Sequence, residues 1–295
     1  MDRIKLILLC GIPGSGKTTY AEKYIEEHPN TTHISSDQIR AELWGNESTQ
    51  GDNNEVFSLM QSRTIEALNN GLSVVYDCTN ITRKDRSYII ALCPKFVKIE
   101  CHVVWAPIET CIERDAARER TVGKEVIDRM IKRFQAPYYD ECIDDIKIIM
   151  PTNFDSHEQY EYFSAVMKSM KIAHDNPHHT LDVYDHCMEA HRLTVLKTHD
   201  YFAAICFAAQ YHDIGKPYTK AFVDSKGNPC ETAHYYQHQC VGAWISYGMP
   251  DVTPYVAWLI STHMDPYLNT KYYNKLPAYL KKQVDLLHEA DLNAH

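Results

Sequence analysis

From residue 4 to about residue 150, short apolar runs alternate with longer amphipathic stretches. Runs such as Leu6-Ile7-Leu8-Leu9 and Ser73-Val74-Val75-Tyr76 are apolar without alternation, as expected of strands covered on both faces. The pattern predicts strands near Ile4 to Leu9, Thr32 to Ser35, Leu72 to Tyr76, Phe96 to Val104 and Ile146 to Ile149. Helices are predicted to begin near Lys17, Gln38, Asn54, Arg83, Glu109 and Lys124. Alternation of this kind marks βαβ units and a parallel α/β sheet with helices on both faces.

After Ile149 the strand signal fades. Met150-Pro151-Thr152-Asn153-Phe154-Asp155-Ser156 carries turn residues and helix-capping candidates. From His157 onward the apolar positions fall at helical spacing or in wholly buried runs, so an all-α second domain is expected. The expected division is 1–152 and 153–295.

Composition narrows the class. A chain of 295 residues allows two domains of roughly 100 to 200 residues each. With 44% apolar and 23% charged residues it reads as globular, which excludes disorder, collagen and coiled coil. The longest uncharged apolar runs, such as Phe202 to Tyr211, fall short of the ~20 residues that span a bilayer, so no membrane helix is expected. Asp2, Arg3 and Lys5 surround a short apolar run that leads straight into a glycine-rich turn; this reads as a strand rather than a secretory signal, and a cytoplasmic location is expected. The ten cysteines form no CxxC pair and read as reduced thiols.

Net charge is −4 up to residue 150 and −5 beyond it, so neither half has the basic field of a protein that coats nucleic acid. A nucleic acid would have to be gripped locally, at an end. Histidine is unevenly spread: His28, His33 and His102 are alone in the first half, and the other thirteen of sixteen lie beyond residue 150. Two chemistries are expected, the first with no need of imidazole.

The first chemistry is carried by Gly11-Ile12-Pro13-Gly14-Ser15-Gly16-Lys17-Thr18, a G-x-x-x-x-G-K-S/T phosphate-binding loop between a predicted strand and helix. Gly11, Gly14, Ser15 and Gly16 let consecutive backbone N–H groups curl around a β-phosphate at a helix N-terminus. Lys17 then reaches the β and γ oxygens, and Thr18 offers its hydroxyl to Mg²⁺. Other strand ends should complete the site. Candidates are Asp37 within Ser35-Ser36-Asp37-Gln38-Ile39-Arg40, Asp77 in Asp77-Cys78-Thr79-Asn80, and the row Arg114, Arg118 and Arg120. A carboxylate near the accepting hydroxyl and cations over the transferring phosphate are what phosphoryl transfer requires. Each has a plainer alternative: Asp37 or Asp77 as a helix cap, the arginines as a solvated face paired with Glu113 and Glu119.

These segments, together with Arg86 and with Val122-Gly123-Lys124-Glu125-Val126-Ile127 and Met130, resemble the kinase domain of phage and bacterial polynucleotide 5′-hydroxyl kinases over roughly residues 4 to 137. The resemblance implies Asp37 as general base on a 5′-OH and Arg40 on the phosphate next to the accepting nucleotide. It also implies Lys17 and Thr18 on an ATP or GTP donor with Mg²⁺, Asp77 and Arg86 in the metal and acceptor region, and Arg114 and Arg118 as lid arginines. Where that family often has Arg before the base and Asn after the first lid arginine, this chain has Ser36 and Asp115.

The second half presents His186, then His212-Asp213, then Asp291, residue types that suit transition metals. His212 and Asp213 are expected at the end of an apolar helix Ala203 to Tyr211, closed by Gly215 and Pro217. The order, with His212-Asp213-Ile214-Gly215-Lys216, resembles the all-helical HD superfamily of metal-dependent phosphohydrolases over about residues 172 to 295. That resemblance implies His186, His212, Asp213 and Asp291 as ligands, His238 and His263 completing a second metal site, and Asp213 as the bridge. One or two of Mn, Co, Ni, Fe or Zn would be bound, able to clamp attacking and leaving oxygens. Lys216 is a candidate to neutralise a substrate phosphate. His234, one helical turn before His238, is a candidate ligand or phosphate contact, and His179 is a further candidate to face the site. His157, His174, His191, His199 and His288 are read as ordinary. Tyr235-Tyr236 and Tyr272-Tyr273 are candidates to stack bases, with core packing the plainer reading.

Together the halves suggest a bifunctional nucleic-acid end-repair enzyme, similar to bacterial proteins that join an HD phosphohydrolase to a polynucleotide kinase, although there the HD part comes first. The kinase would phosphorylate a 5′-OH end, RNA before DNA, and the HD part would hydrolyse a 2′,3′-cyclic or 2′/3′-phosphate. A separate RNA ligase is the implied partner, with a homodimer left open. Open alternatives are a small-molecule or nucleotide kinase fused to an HD nucleotidase, and an NTP-dependent switch regulating an HD phosphohydrolase.

Overall fold

The non-alternating apolar runs of the first half form a single parallel sheet in the computed structural model, which describes residues 3–46, 51–176, 180–197 and 203–295. Its elements run β1 (Lys5–Cys10), α1 (Lys17–Glu27), β2 (Thr31–Ser35), α2 (Ser36–Trp44), α3 (Asn53–Asn69), β3 (Ser73–Asp77), α4 (Arg83–Leu92), β4 (Lys98–Val104), α5 (Ile108–Ala116), α6 (Lys124–Ile131) and β5 (Asp145–Ile149). Strand order is β2-β3-β1-β4-β5, and every pairing is parallel. On one face Ile7, Leu9, Val75 and Val104 pack with Ala21 and Tyr24 of α1. Because all strands point the same way, their carboxyl ends gather on one edge, where ligands of open α/β sheets bind.

The chain divides into two units, Met1–Met130 with Pro137–Pro151, and Ile131–Ala136 with Thr152–His295. Within the second unit the Phe134 ring stands edge-on to Trp244, and the Ala136 N–H donates to Ser261 Oγ. That unit continues with α7 (Ser156–Ser169), α8 (Val183–Lys197), α9 (Ala203–Tyr211), α10 (Lys216–Thr219), β6 (Ala221–Val223), β7 (Pro229–His234), α11 (His238–Ser246), α12 (Pro254–Thr262), α13 (Asp265–Leu268), α14 (Thr270–Tyr273) and α15 (Ala278–Asn293). Every residue of α11 is buried, as are Val256 to Thr262 of α12, so two nearly continuous apolar segments form the centre.

Three expectations change here. The second unit is not purely helical: β6 and β7 form an antiparallel hairpin turned by Asp224 to Asn228. α9 ends at Tyr211 as expected, with His212 and Asp213 in the turn directly after it, but Pro217 opens α10 rather than merely closing the helix before it. His234 sits at the end of β7, not one helical turn before His238. His179 and His199 lie outside the described residues. Among the described residues no helix is long and apolar enough to cross a membrane.

Candidate nucleotide and metal sites

The loop between β1 and α1 is shaped by close approach. A Cβ on Gly14, whose φ is +79°, would stand 2.1 Å from the Cys111 carbonyl oxygen, and Gly16 at φ +101° is the left-handed N-cap of α1. These positions require glycine. Lys17 Nζ donates to the Ile12 carbonyl at 3.0 Å, and burial pushes its ammonium below the ordinary lysine value. Ser15 Oγ is buried with no hydrogen-bond partner. A buried hydroxyl without a partner, at a turn of backbone donors, fits a phosphate oxygen.

Around this loop the strand ends supply polar groups. Thr18 Oγ1 donates to Asp77 Oδ2 at 3.3 Å, and this donor set suits Mg²⁺ held with a nucleotide. Asp37 is half-exposed, and Ser35 rather than Asp37 caps α2 by accepting the Asp37 N–H. The Asp37 carboxylate is thus not spent on the helix end; Oδ1 takes Arg40 Nη1 at 3.1 Å and Arg120 Nη1 at 3.3 Å. Arg114 lies beside the loop, its Nη1 3.8 Å from where a Gly16 Cβ would stand. Arg118 is exposed in the turn after α5. Asp115 accepts the N–H groups of Val122 and Gly123, which explains a carboxylate at that position: it closes the loop between α5 and α6.

Arg86 departs from its expected role. It is fully buried, bidentate to Glu141 at 2.7 Å on both oxygens, and donates to the Asn80 carbonyl at 2.9 Å. A guanidinium committed in this way fixes the loop after β3 instead of reaching a substrate. His33, read as unimportant, lies with its Nε2 3.0 Å from Asp77 Oδ2.

In the second unit His186 from α8, His212 and Asp213 from the turn after α9, and Asp291 from α15 form one group of potential ligands; Asp213, His238 and His263 form another. In each group the ligand atoms lie within 4.8 Å of one another, and Asp213 belongs to both. Gly215 makes the approach possible: a Cβ there would lie 2.1 Å from the His238 carbonyl oxygen.

Each of the four imidazoles is oriented by a backbone carbonyl at its Nδ1: Ala294 for His186 at 2.8 Å, Ala209 for His212 at 2.8 Å, Tyr235 for His238 at 2.9 Å and Ile260 for His263 at 2.8 Å. A carbonyl only accepts, so every Nδ1 carries a hydrogen and every Nε2 points inward. The Nε2 atoms of His186 and His212 are 3.2 Å apart, as are those of His238 and His263. Nitrogens facing at that distance need a proton or a metal ion between them. Two nitrogens each about 2.1 Å from one ion span a comparable distance. Asp213 Oδ2 is buried 3.4 Å from His186 Nε2 and 3.3 Å from His212 Nε2. Burial opposes ionisation of Asp213, yet His212 and Lys216 hold its carboxyl well below the usual range. Burial and the neighbouring His238 push His263 down to about 3, leaving it a neutral donor ring. The donor set fits one or two transition-metal ions.

Lys216 Nζ lies 2.6 Å from Asp213 Oδ2 and 3.2 Å from His174 Nε2. Burial and that ammonium push His174 down to about 4, so its ring accepts from the lysine. No local pattern marks His174, because its partner Lys216 is 42 residues away. His234 stacks on Tyr236 at a centroid distance of 5.3 Å and belongs to neither ligand group.

Residues 6–137 match the AAA domain family, and the first unit is a P-loop kinase-like α/β domain. No curated protein sequence matches the chain. Among solved structures the chain is similar to a chain of the Pnkp1/Rnl/Hen1 RNA repair complex, 22% identical, covering 45% of this chain and 44% of that one with a TM-score of 0.42. It is also similar to a gluconokinase from Sinorhizobium meliloti 1021, 16% identical, covering 52% and 86% with a TM-score of 0.38. A fungal RNA kinase is 16% identical, covering 57% and 45% with a TM-score of 0.38. The chain spans less than half the length of the repair-complex chain.

Proposed function

We propose that this chain heals broken RNA ends with two phosphoryl chemistries. The first unit transfers the γ-phosphate of ATP or GTP to a 5′-OH end; the second hydrolyses a 2′,3′-cyclic phosphate or a 2′/3′-phosphate. The observation that carries the reading is the cluster of four inward-facing imidazoles and two carboxylates in a chain that also holds a P-loop kinase-like domain. A kinase alone has no use for that cluster. A 2′,3′-cyclic end requires a 2′-hydroxyl, which makes the substrate RNA.

In the kinase half Lys17 and the loop amides bind the donor, while Asp37 accepts the proton of the attacking hydroxyl. Arg40 and Arg120, already on Asp37, hold the carboxylate and the adjoining acceptor phosphate. Thr18 and Asp77 would hold Mg²⁺, which neutralises charge on the phosphates. In the hydrolytic half His186, His212, Asp213, Asp291, His238 and His263 would hold one or two transition-metal ions, which polarise the phosphate and activate water. Lys216 neutralises a substrate phosphate at the edge of that cluster. Neither site joins strands, so a separate ligase seals the healed ends.

The test is label transfer from γ-labelled NTP to a 5′-OH oligoribonucleotide, with phosphate release from a cyclic-ended one in the presence of Mn²⁺. Both reactions are expected. Release of free phosphate from NTP without transfer would instead assign the first unit a switching role, and phosphorylation of small metabolites alone would overturn the RNA substrate.

A further inference from the structure

His33 on β2, Asp77 at the end of β3 and Thr18 in the first turn of α1 meet at one oxygen. His33 Nε2 stands 3.0 Å from Asp77 Oδ2, and Thr18 Oγ1 donates to the same atom at 3.3 Å. Strand register brings this about. Ser35 pairs with Asp77 and His33 with Val75, so His33 lies two residues back on the same face, within diagonal reach of Asp77. Val75 packs against Ala21 and Tyr24, which identifies that face as the one α1 covers. The His33 and Asp77 side chains are only 6% and 5% exposed.

An ionised carboxylate is acceptor-only, so Nε2 carries the hydrogen. A carboxylate held by Thr18 alone would turn freely whenever that hydroxyl moved to serve an ion. The imidazole N–H is a second, independent hold from the neighbouring strand. We propose that His33 is a positioning residue for nucleotide-bound Mg²⁺: it locks the Asp77 carboxylate so that Thr18 and Asp77 meet the ion already oriented. Outer partners of this kind typically change metal affinity by about 10- to 100-fold when removed. The inference rests on the P-loop nucleotide site alone and does not depend on the acceptor or on the second unit.

The experiment uses the full chain and the fluorescence of an N-methylanthraniloyl ATP analogue, titrated with Mg²⁺ and, separately, measured in EDTA. His33→Ala is expected to raise the Mg²⁺ needed for half-maximal binding by about tenfold or more, with analogue binding in EDTA unchanged within about twofold. His33→Gln, whose amide N–H can donate to Oδ2, is expected to recover most of the loss. His33→Phe keeps the ring volume without the N–H; if the alanine variant fails to fold, the phenylalanine variant must show the same Mg²⁺ deficit. An unchanged Mg²⁺ requirement in a variant that still binds the analogue overturns the proposal, and so does an equal loss with and without Mg²⁺. Failure of the wild type to bind the analogue at all would count against the nucleotide site itself.

Discussion

Gly215 rests on the backbone of His238: an added Cβ would stand 2.1 Å from the His238 carbonyl oxygen and 2.6 Å from the Gly242 nitrogen. The turn that carries His212 and Asp213 is therefore pressed onto the first turn of α11, which carries His238. This contact joins the two ligand groups through Asp213.

Gly215→Ala should force the turn and α11 apart. Overpacking of this kind costs about 1 to 3 kcal/mol, and here it also separates His238 from Asp213, now 3.1 Å apart. Urea unfolding and metal content should fall together; a variant with normal stability and full metal content would contradict the packing account.

Asp213 stands in both groups, whereas His263 stands in one. Metal analysis of protein reconstituted with Mn²⁺ should find Asp213→Ala depleted at both sites and His263→Ala depleted only at the site it shares with His238. Equal retention in both variants would contradict Asp213 as the shared ligand.

Asp37→Asn keeps the shape of the side chain and removes its basicity. Loss of a general base typically slows a reaction on the order of 10²- to 10⁴-fold, so transfer to a 5′-OH should fall by that order while nucleotide binding persists. Retained transfer would remove Asp37 as the base.

Glu100 is a buried carboxylate contacted by His102 at 3.2 Å and by Lys98, Lys5 and Lys147 at 2.9, 3.0 and 3.1 Å. His102 and, against the cost of burial, those lysines hold its carboxyl well below the usual carboxylate range. A depressed carboxyl adds stability above its unfolded value of about 4.3 and loses it progressively as pH falls below that. Glu100→Gln should therefore cost about 1 to 2 kcal/mol at pH 7, and less at pH 3.5. Urea midpoints at the two pH values check this; a gap that widens on acidification would contradict it.

The parts most legible in the sequence are those in which neighbours in chain are neighbours in function. The loop from Gly11 to Thr18 is one contiguous turn, and the five strands begin within about two residues of the expected positions, most plainly β1 and β3, whose burial on both faces demands unbroken apolar runs. His33 and Asp77 are separated by 44 residues and meet only through strand pairing, so no local pattern marks His33. The hairpin of β6 and β7 was hidden for another reason: its strands are short and largely exposed, so they carry no buried periodicity. Arg86 has the residue type of a phosphate ligand, and only the position of Glu141, 55 residues on, turns it inward.

The most direct measurement uses one RNA carrying both a 5′-OH and a 2′,3′-cyclic phosphate, treated with wild type, Asp37→Ala, and the double variant His212→Ala, Asp213→Ala. The wild type should convert both ends, the first variant only the cyclic end, and the double variant only the 5′ end. A wild type that leaves the cyclic end untouched with every transition metal supplied, or a single site whose loss abolishes both conversions, would contradict the account.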